Sequence, residues 1–273
     1  MPYPFRFRTL IPTLAVAMTF GASAASSDDR IVDIDAPRPN DTRELRALTL
    51  DNDLEVLLIS DPKMQKSAAA LDVAVGGLED PWDHEGTAHF LEHMLFLGTE
   101  KYPDVEEYRR YLSNNQGSSN AYTAPDRTNY HFQVDHDALE GALDRFAQFF
   151  IAPKFDAEFV EREMNAVNSE HQKNLQDDYW RTRMVFRHLH REGHPRKKFS
   201  TGDLNTLGTI SRDALIEFYK KFYSANVMKL VVMSDKSLDE LESLVRNRFD
   251  AIPNFDRGPL EYPSDPFDPA MLP

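Results

Sequence analysis

Apolar residues along this chain change their spacing at Pro81, and that change limits what the chain can fold into. Before it, Leu54-Glu55-Val56-Leu57-Leu58-Ile59 opens in the alternation of a half-buried strand, entered through a turn at Asp51-Asn52-Asp53. Ala68 to Val75 is a more continuous apolar run, interrupted by Asp72 and ended by Gly76-Gly77, as expected of a strand in the middle of a sheet. After Pro81, residues Ala88, Leu91 and Leu95 recur at helical spacing, which predicts a helix over 86–97 ended by Gly98. A short helix over 105–112, capped by Asp104, is expected next.

The two periods keep mixing downstream. Residues 120–123 and 128–134 read as paired strands across Ala124-Pro125-Asp126-Arg127. Helices follow over 136–150 and, capped by Asp156, over 157–175; a helix over 212–223, a strand over 228–233 and a helix over 238–249 complete the series. Strands and helices that mix without strict βαβ alternation predict an α+β fold, a two-layer sandwich of helices on one mainly antiparallel sheet.

The chain ends carry other signals. Arg6 and Arg8, an apolar stretch from Leu10 to Phe20 and small residues at Ala22-Ser23-Ala24 predict a secretory signal peptide over 1–24, an uncleaved anchor being the alternative. Residues 25–44 then form an N-terminal extension, 45–255 the α+β domain, and 256–273, with Pro259, Pro263, Pro266, Pro269 and Pro273, a linker toward an absent following domain. No second apolar run reaches membrane length, so a soluble mature protein in the periplasm or outside the cell is expected.

With no cysteine, disulfides are excluded and any metal must be held by nitrogen and oxygen. Acidic residues number 45 against 31 basic, a formal charge of −14, and the basic residues are dispersed, which argues against a nucleic-acid partner. Only Arg196-Lys197-Lys198 forms a run of three, read as a solvated loop; the overall acidity would favour cationic peptides.

The chemistry concentrates on the predicted helix over 86–97. His89 and His93 are four apart, one turn from each other on one face, so both imidazoles can reach a single ion. Zinc suits them: its catalytic sites use three protein ligands and keep a position for water, so a third ligand must come from elsewhere in the chain. Glu92 stands beside His93 and three residues after His89, where it can face a metal-bound water as general base without ligating the ion. A solvated array of two histidines and a glutamate is the alternative, but Phe90, Leu91, Met94, Leu95 and Phe96 surround the trio with apolar groups, and buried polar groups need compensation such as a metal. His188, His190 and His84 read as structural or surface residues.

The segment Thr87-Ala88-His89-Phe90-Leu91-Glu92-His93-Met94-Leu95-Phe96-Leu97-Gly98-Thr99 closely resembles the motif helix of the pitrilysin and insulin-degrading-enzyme family of zinc peptidases, whose His-x-x-Glu-His motif is inverted relative to thermolysin-type peptidases. Glu163-Met164-Asn165-Ala166-Val167-Asn168-Ser169-Glu170-His171 resembles its second metal segment, Ser118-Ser119-Asn120-Ala121-Tyr122-Thr123 with Thr128-Asn129-Tyr130 its substrate-side strand, and Phe199-Ser200-Thr201-Gly202 also matches. The resemblance implies Glu170 as the third zinc ligand. It also implies Glu163, two helical turns earlier, as an auxiliary glutamate grouped with Glu92 in the catalytic set, although for Glu163 alone a surface role stays open. Asn120, Ala121 and Tyr122 are implied to bind an extended peptide by main-chain hydrogen bonds, an ordinary buried strand being equally open.

Family members close the site with a second, similar half that supplies an Arg and a Tyr, and nothing in this chain corresponds to it. The expected function is therefore a zinc metalloendopeptidase domain, with one zinc per chain, acting on oligopeptides or small proteins and incomplete in substrate enclosure. A non-catalytic peptide-binding or assembly subunit is the competing reading.

Overall fold

One sheet of seven strands organises the chain: β1 (Ile31–Ile34), β2 (Glu44–Thr49), β3 (Glu55–Ser60), β4 (Lys66–Val73), β5 (Ser118–Thr123), β6 (Thr128–Asp135) and β7 (Met228–Ser234), in the spatial order β1-β2-β3-β7-β4-β6-β5. The structure, a computed structural model, describes residues 31–34 and 40–271. The expected signal peptide and its cleavage site lie outside them. Every neighbouring pair is antiparallel except β3 with β7, where Leu57 is in register with Val231. The mainly antiparallel α+β fold expected from the sequence is the one observed.

The helices are α1 (Thr87–Leu95), α2 (Glu107–Asn114), α3 (Leu139–Ile151), α4 (Ala157–Asn174), α5 (Asp178–His188), α6 (Leu204–Leu207), α7 (Arg212–Phe222) and α8 (Leu238–Phe249). None among the described residues is long and apolar enough to cross a membrane. The core forms where strand alternation meets helical stripes. Val56 and Leu58 of β3, Ala69, Leu71 and Val73 of β4, Tyr130, Phe132 and Val134 of β6, and Leu230 and Val232 of β7 are buried with Phe90 and Met94 of α1, Phe146 and Phe150 of α3, and Val245 and Phe249 of α8. On the opposite face Leu57 and Ala70 are half-buried and Val231 is exposed.

Some elements depart from the sequence reading. β4 reads as a continuous apolar run but alternates buried and half-buried positions, because small Ala68 and Ala70 occupy its outer face. The helix expected after Asp104 starts two residues later. The Asp104 carboxylate accepts from Glu106 N–H and its carbonyl from Glu107 N–H, forming a turn ahead of the helix rather than its cap. Ile31–Ile34, inside the expected N-terminal extension, pairs with β2 as an edge strand, and four residues are too few for a period to stand out. The Pro-rich tail returns to the domain: Arg191 N–H donates to Pro266 O and Asp268 N–H to Leu189 O, so part of the expected linker is tied down beside α5.

Phe146 sits at the centre of an aromatic cluster, with ring centroids 5.2 Å from Phe132, 5.4 Å from Phe150 and 5.8 Å from Phe149. Phe146→Ala leaves a ring-sized cavity under the sheet and is expected to cost about 3–5 kcal/mol of stability, read as a lowered urea midpoint with an unchanged m-value.

Candidate metal centre

Helix α1 is aimed at the site by what holds its first turn. Asp80 is buried, and its two carboxylate oxygens accept from Gly86 N–H at 2.8 Å and Ala88 N–H at 2.7 Å. These are among the donors a helix N-terminus leaves without partners. Burial pushes the Asp80 carboxyl up to about 7, against the pull of those two N–H groups and of Lys198. Gly86 has φ 95°, a left-handed conformation, and a side chain there would meet the Gly202 backbone at 2.4 Å. Two glycines therefore let the Phe199–Gly202 segment rest against the start of α1. Glu85 Oε2 accepts the Phe199 N–H, and the Thr201 carbonyl receives His89 Nδ1 at 2.8 Å.

Helix α4 supplies the facing carboxylates. Its N-cap Asp156 accepts from Glu158 N–H, as expected, and buried Met164 and Val167 hold one side of it against the core. Glu163 and Glu170, seven apart on α4, then point at α1. Glu170 Oε2 lies 3.6 Å from His89 Nε2 and 3.8 Å from His93 Nε2, and Glu163 Oε2 lies 3.4 Å from His93 Nδ1. The three donor atoms of His89, His93 and Glu170 fall within 4.8 Å of one another. Ligand atoms around one tetrahedral zinc are about 3.3–3.5 Å apart, so the set fits that ion with small adjustments.

Tautomers fit as well. A carbonyl and a carboxylate can only accept, so Thr201 O and Glu163 Oε2 place a hydrogen on each Nδ1, and in the neutral rings both Nε2 lone pairs are left for an ion on the Glu170 side.

Glu92 is buried beside the trio. Thr123 Oγ1 donates to its Oε2 at 2.6 Å. Burial raises its pKa, while His89, the Thr123 hydroxyl and His93 oppose the rise. Below it the hydroxyls of buried Tyr130 and Tyr223 bond each other at 2.8 Å.

Asn120, Ala121 and Tyr122 lie on β5, which ends the sheet and pairs only with β6, so one side of the strand keeps its backbone groups free of the ladder. The sequence left this edge unassigned. Tyr122 is 45% exposed, and a cleft of about 630 Å³ runs beside the strand between Glu92, His93, Phe96, Tyr108, Asn120 and Ala121. His190 stacks on Phe267 and His84 sits near Thr209, neither in the trio. Sequence reasoning assigned no role to Asp80, Thr123 or the Thr201 carbonyl. The last two stood inside segments singled out for resemblance; Asp80 carried no signal.

The family model described as insulinase, peptidase family M16, matches residues 55–193, and the model for the peptidase M16 inactive domain matches 209–270. Insulin-degrading enzyme of Drosophila melanogaster is 55% identical over 221 residues, which cover 78% of this chain and 22% of that protein. Insulin-degrading enzyme of Homo sapiens is 48% identical over 241 residues, 86% of this chain and 24% of that one. The crystal structure of pitrilysin superposes with a TM-score of 0.84 at 40% identity, covering 89% of this chain and 27% of that one. The chain thus spans about a quarter of the length of the curated relatives it matches.

Two predictions follow from this geometry. In the metal-free chain burial works against the His93 imidazolium, but Glu163 and Glu170 outweigh it and hold its pKa up to about 9. A histidine that ligates a metal must be neutral, so zinc bound at this trio would have to displace that proton, and affinity is expected to fall by about tenfold per pH unit below that value. Calorimetry in buffers of different ionisation enthalpy should count about one proton released per ion. Asp80→Ala strips the cap from α1 and is expected to cost about 1–3 kcal/mol in urea unfolding and to weaken zinc binding.

Proposed function

Because the chain belongs to the insulinase family of peptidases, family M16, we propose that it is the metal-bearing domain of a zinc-dependent endopeptidase that hydrolyses peptide bonds in oligopeptides or small proteins. One observation carries this reading: two imidazole Nε2 atoms and the Glu170 carboxylate converge from two helices beside a buried Glu92 that stands apart from the trio.

His89, His93 and Glu170 would hold the ion, with Glu163 fixing the His93 ring from behind. When bound, zinc supplies a Lewis acid that lowers the pKa of water from about 15.7 to about 7 and polarises the scissile carbonyl. Glu92 is placed to take a proton from an attacking water and to pass it to the leaving amine, which would let it act as base and then as acid. Thr123 holds Glu92 Oε2, which leaves the other carboxylate oxygen for the water. Burial raises the proton affinity of Glu92, which suits a group that must both accept and release a proton near neutrality.

The substrate lies extended along the free edge of β5, paired with the backbone of Asn120, Ala121 and Tyr122. Main-chain pairing tolerates many side chains, so selectivity is broad. Enclosure of the substrate comes from a second homologous half, since the chain spans about a quarter of its relatives' length. Turnover by this chain alone is therefore low. The leader-like residues 1–24 support a periplasmic or secreted location, and a periplasmic protease of Escherichia coli whose first half is a solved structure shares the fold at 24% identity with a TM-score of 0.71.

Metal content and hydrolysis of an internally quenched peptide separate this reading from a metal-free peptide binder. The chain should take up one zinc; Glu92→Gln should keep it while losing about a hundred- to ten-thousandfold in turnover, and Glu170→Ala should lose stoichiometric zinc. A wild-type chain that takes up no zinc, or a Glu92→Gln variant with unaltered turnover, overturns the proposal.

A further inference from the structure

A second concavity, of about 400 Å³, flanks the metal centre on the side away from the cleft already described. The cleft borders His93 and Glu163. The groove borders Thr201, whose carbonyl holds His89. The cleft meets β5 at Ser118 to Ala121, and the groove meets the turn that follows the strand at Pro125, two residues beyond Thr123. A peptide extended along this edge runs from one into the other past Glu92. At about 3.3 Å per residue, side chains about two to four residues from the scissile bond reach the groove.

The groove's lining reverses the charge of the molecule around it. Arg183, Arg187, Arg196 and Lys198 face it in a chain of net charge −14. Among the described residues none of the four is held in an ion pair, whereas their neighbours Arg181, Arg191 and Lys197 are paired with Asp178, Asp265 and Glu192. Instead three of them are placed by aromatic rings and backbone: Arg183 lies 5.0 Å from the Trp180 ring centre, Arg187 4.9 Å from that of Phe199, and Lys198 donates to Leu78 O at 2.6 Å. Of the acids around the Phe199 loop, Glu85 is committed to the Phe199 N–H, Asp203 to the first turn of α6 and Asp80 to the first turn of α1, so they act on Arg187 and Lys198 only through space. Arg187 and Lys198 are half-buried, and burial lowers both pKa values, so part of their hydration is already lost. Cations held without a salt bridge beside a peptide path are a preformed receptor for carboxylates.

We propose that this groove is a subsite for acidic side chains of the peptide substrate, in which Arg183, Arg187, Arg196 and Lys198 receive carboxylates over a floor made by Trp180 and Phe199. It rests on the peptidase reading for the path of the peptide. It runs opposite to the expectation, drawn from total charge, that cationic peptides are favoured, because local field and not net charge acts at contact distance. The run Arg196-Lys197-Lys198, read from sequence as a solvated loop, contributes two of the four cations.

The test uses peptides identical except for Glu, Gln or Lys placed about two to four residues from the central bond, on either side of it. Binding is measured on the Glu92→Gln chain, where turnover is suppressed. The only two tryptophans report it directly, Trp180 in the groove and Trp82 under Lys198. The Glu peptide should bind at least about tenfold more tightly than the Lys peptide, added salt should narrow the gap, and Arg183→Glu with Arg196→Glu should reverse the order. Affinities within about twofold of one another, or a preference that survives the double charge reversal in a chain that still melts cooperatively, overturn the subsite. Zinc-dependent hydrolysis of the Gln peptide by the wild-type chain is scored separately. Its failure counts against the peptidase reading, while the order of binding alone decides the subsite.

Discussion

The first turn of α1 is the point on which the rest of the site depends. A helix begins with unpaired N–H groups, and here two of them end on one buried carboxylate, Asp80, while the Phe199–Gly202 segment leans on the same turn through the contact of Gly86 with Gly202. That one junction sets the direction of the helix, the rotation of His89 through the Thr201 carbonyl, and the position of the groove that shares the segment. Moving the turn would displace His89, His93 and Glu92 together, because all three ride on a helix of only nine residues.

The chemistry then comes from polar groups kept in an apolar setting. Phe90, Leu91, Met94 and Leu95 bury the far side of α1 in the core, so the remaining side must accommodate two imidazoles and a carboxylate with little water. Each is satisfied by a named neighbour: His89 by Thr201, His93 by Glu163, Glu92 by Thr123. Only the two Nε2 atoms and Glu170 are left facing one another. Two imidazoles and a carboxylate are the donor set of a catalytic zinc, and without cysteine the chain offers no softer alternative. The free edge of β5 and the two concavities are arranged around this point, the cleft on the His93 side and the cationic groove on the His89 side.

Much of this was legible from the residues. The change of period at Pro81 marked the passage from strands to the motif helix, and the spacing of His89, Glu92 and His93 marked a metal face, because both follow from repeats of 2 and 3.6 residues that side chains obey locally. The pairing of Glu163 with Glu170 across two turns of α4 came from resemblance rather than from period. β1 and α6 were too short to show a repeat, and α5, with no buried residue, has no apolar stripe to read. The insertion of β7 between β3 and β4 is likewise absent from local pattern, since pairing partners far apart in the chain leave no mark on either strand.

By itself the sequence determined the elements long or amphipathic enough to carry a repeat, their faces and the kind of donor available, since these depend on residue type and on neighbours within a turn or two. Tertiary structure alone decided which carboxylate meets the imidazoles, which backbone carbonyl orients His89, which strand ends the sheet, and where four cations gather in an acidic chain. Those outcomes are distances between residues remote in sequence. They exist only once the chain has packed α4 and the Phe199–Gly202 segment against α1, and a carbonyl or a free strand edge carries no residue letter that could announce it.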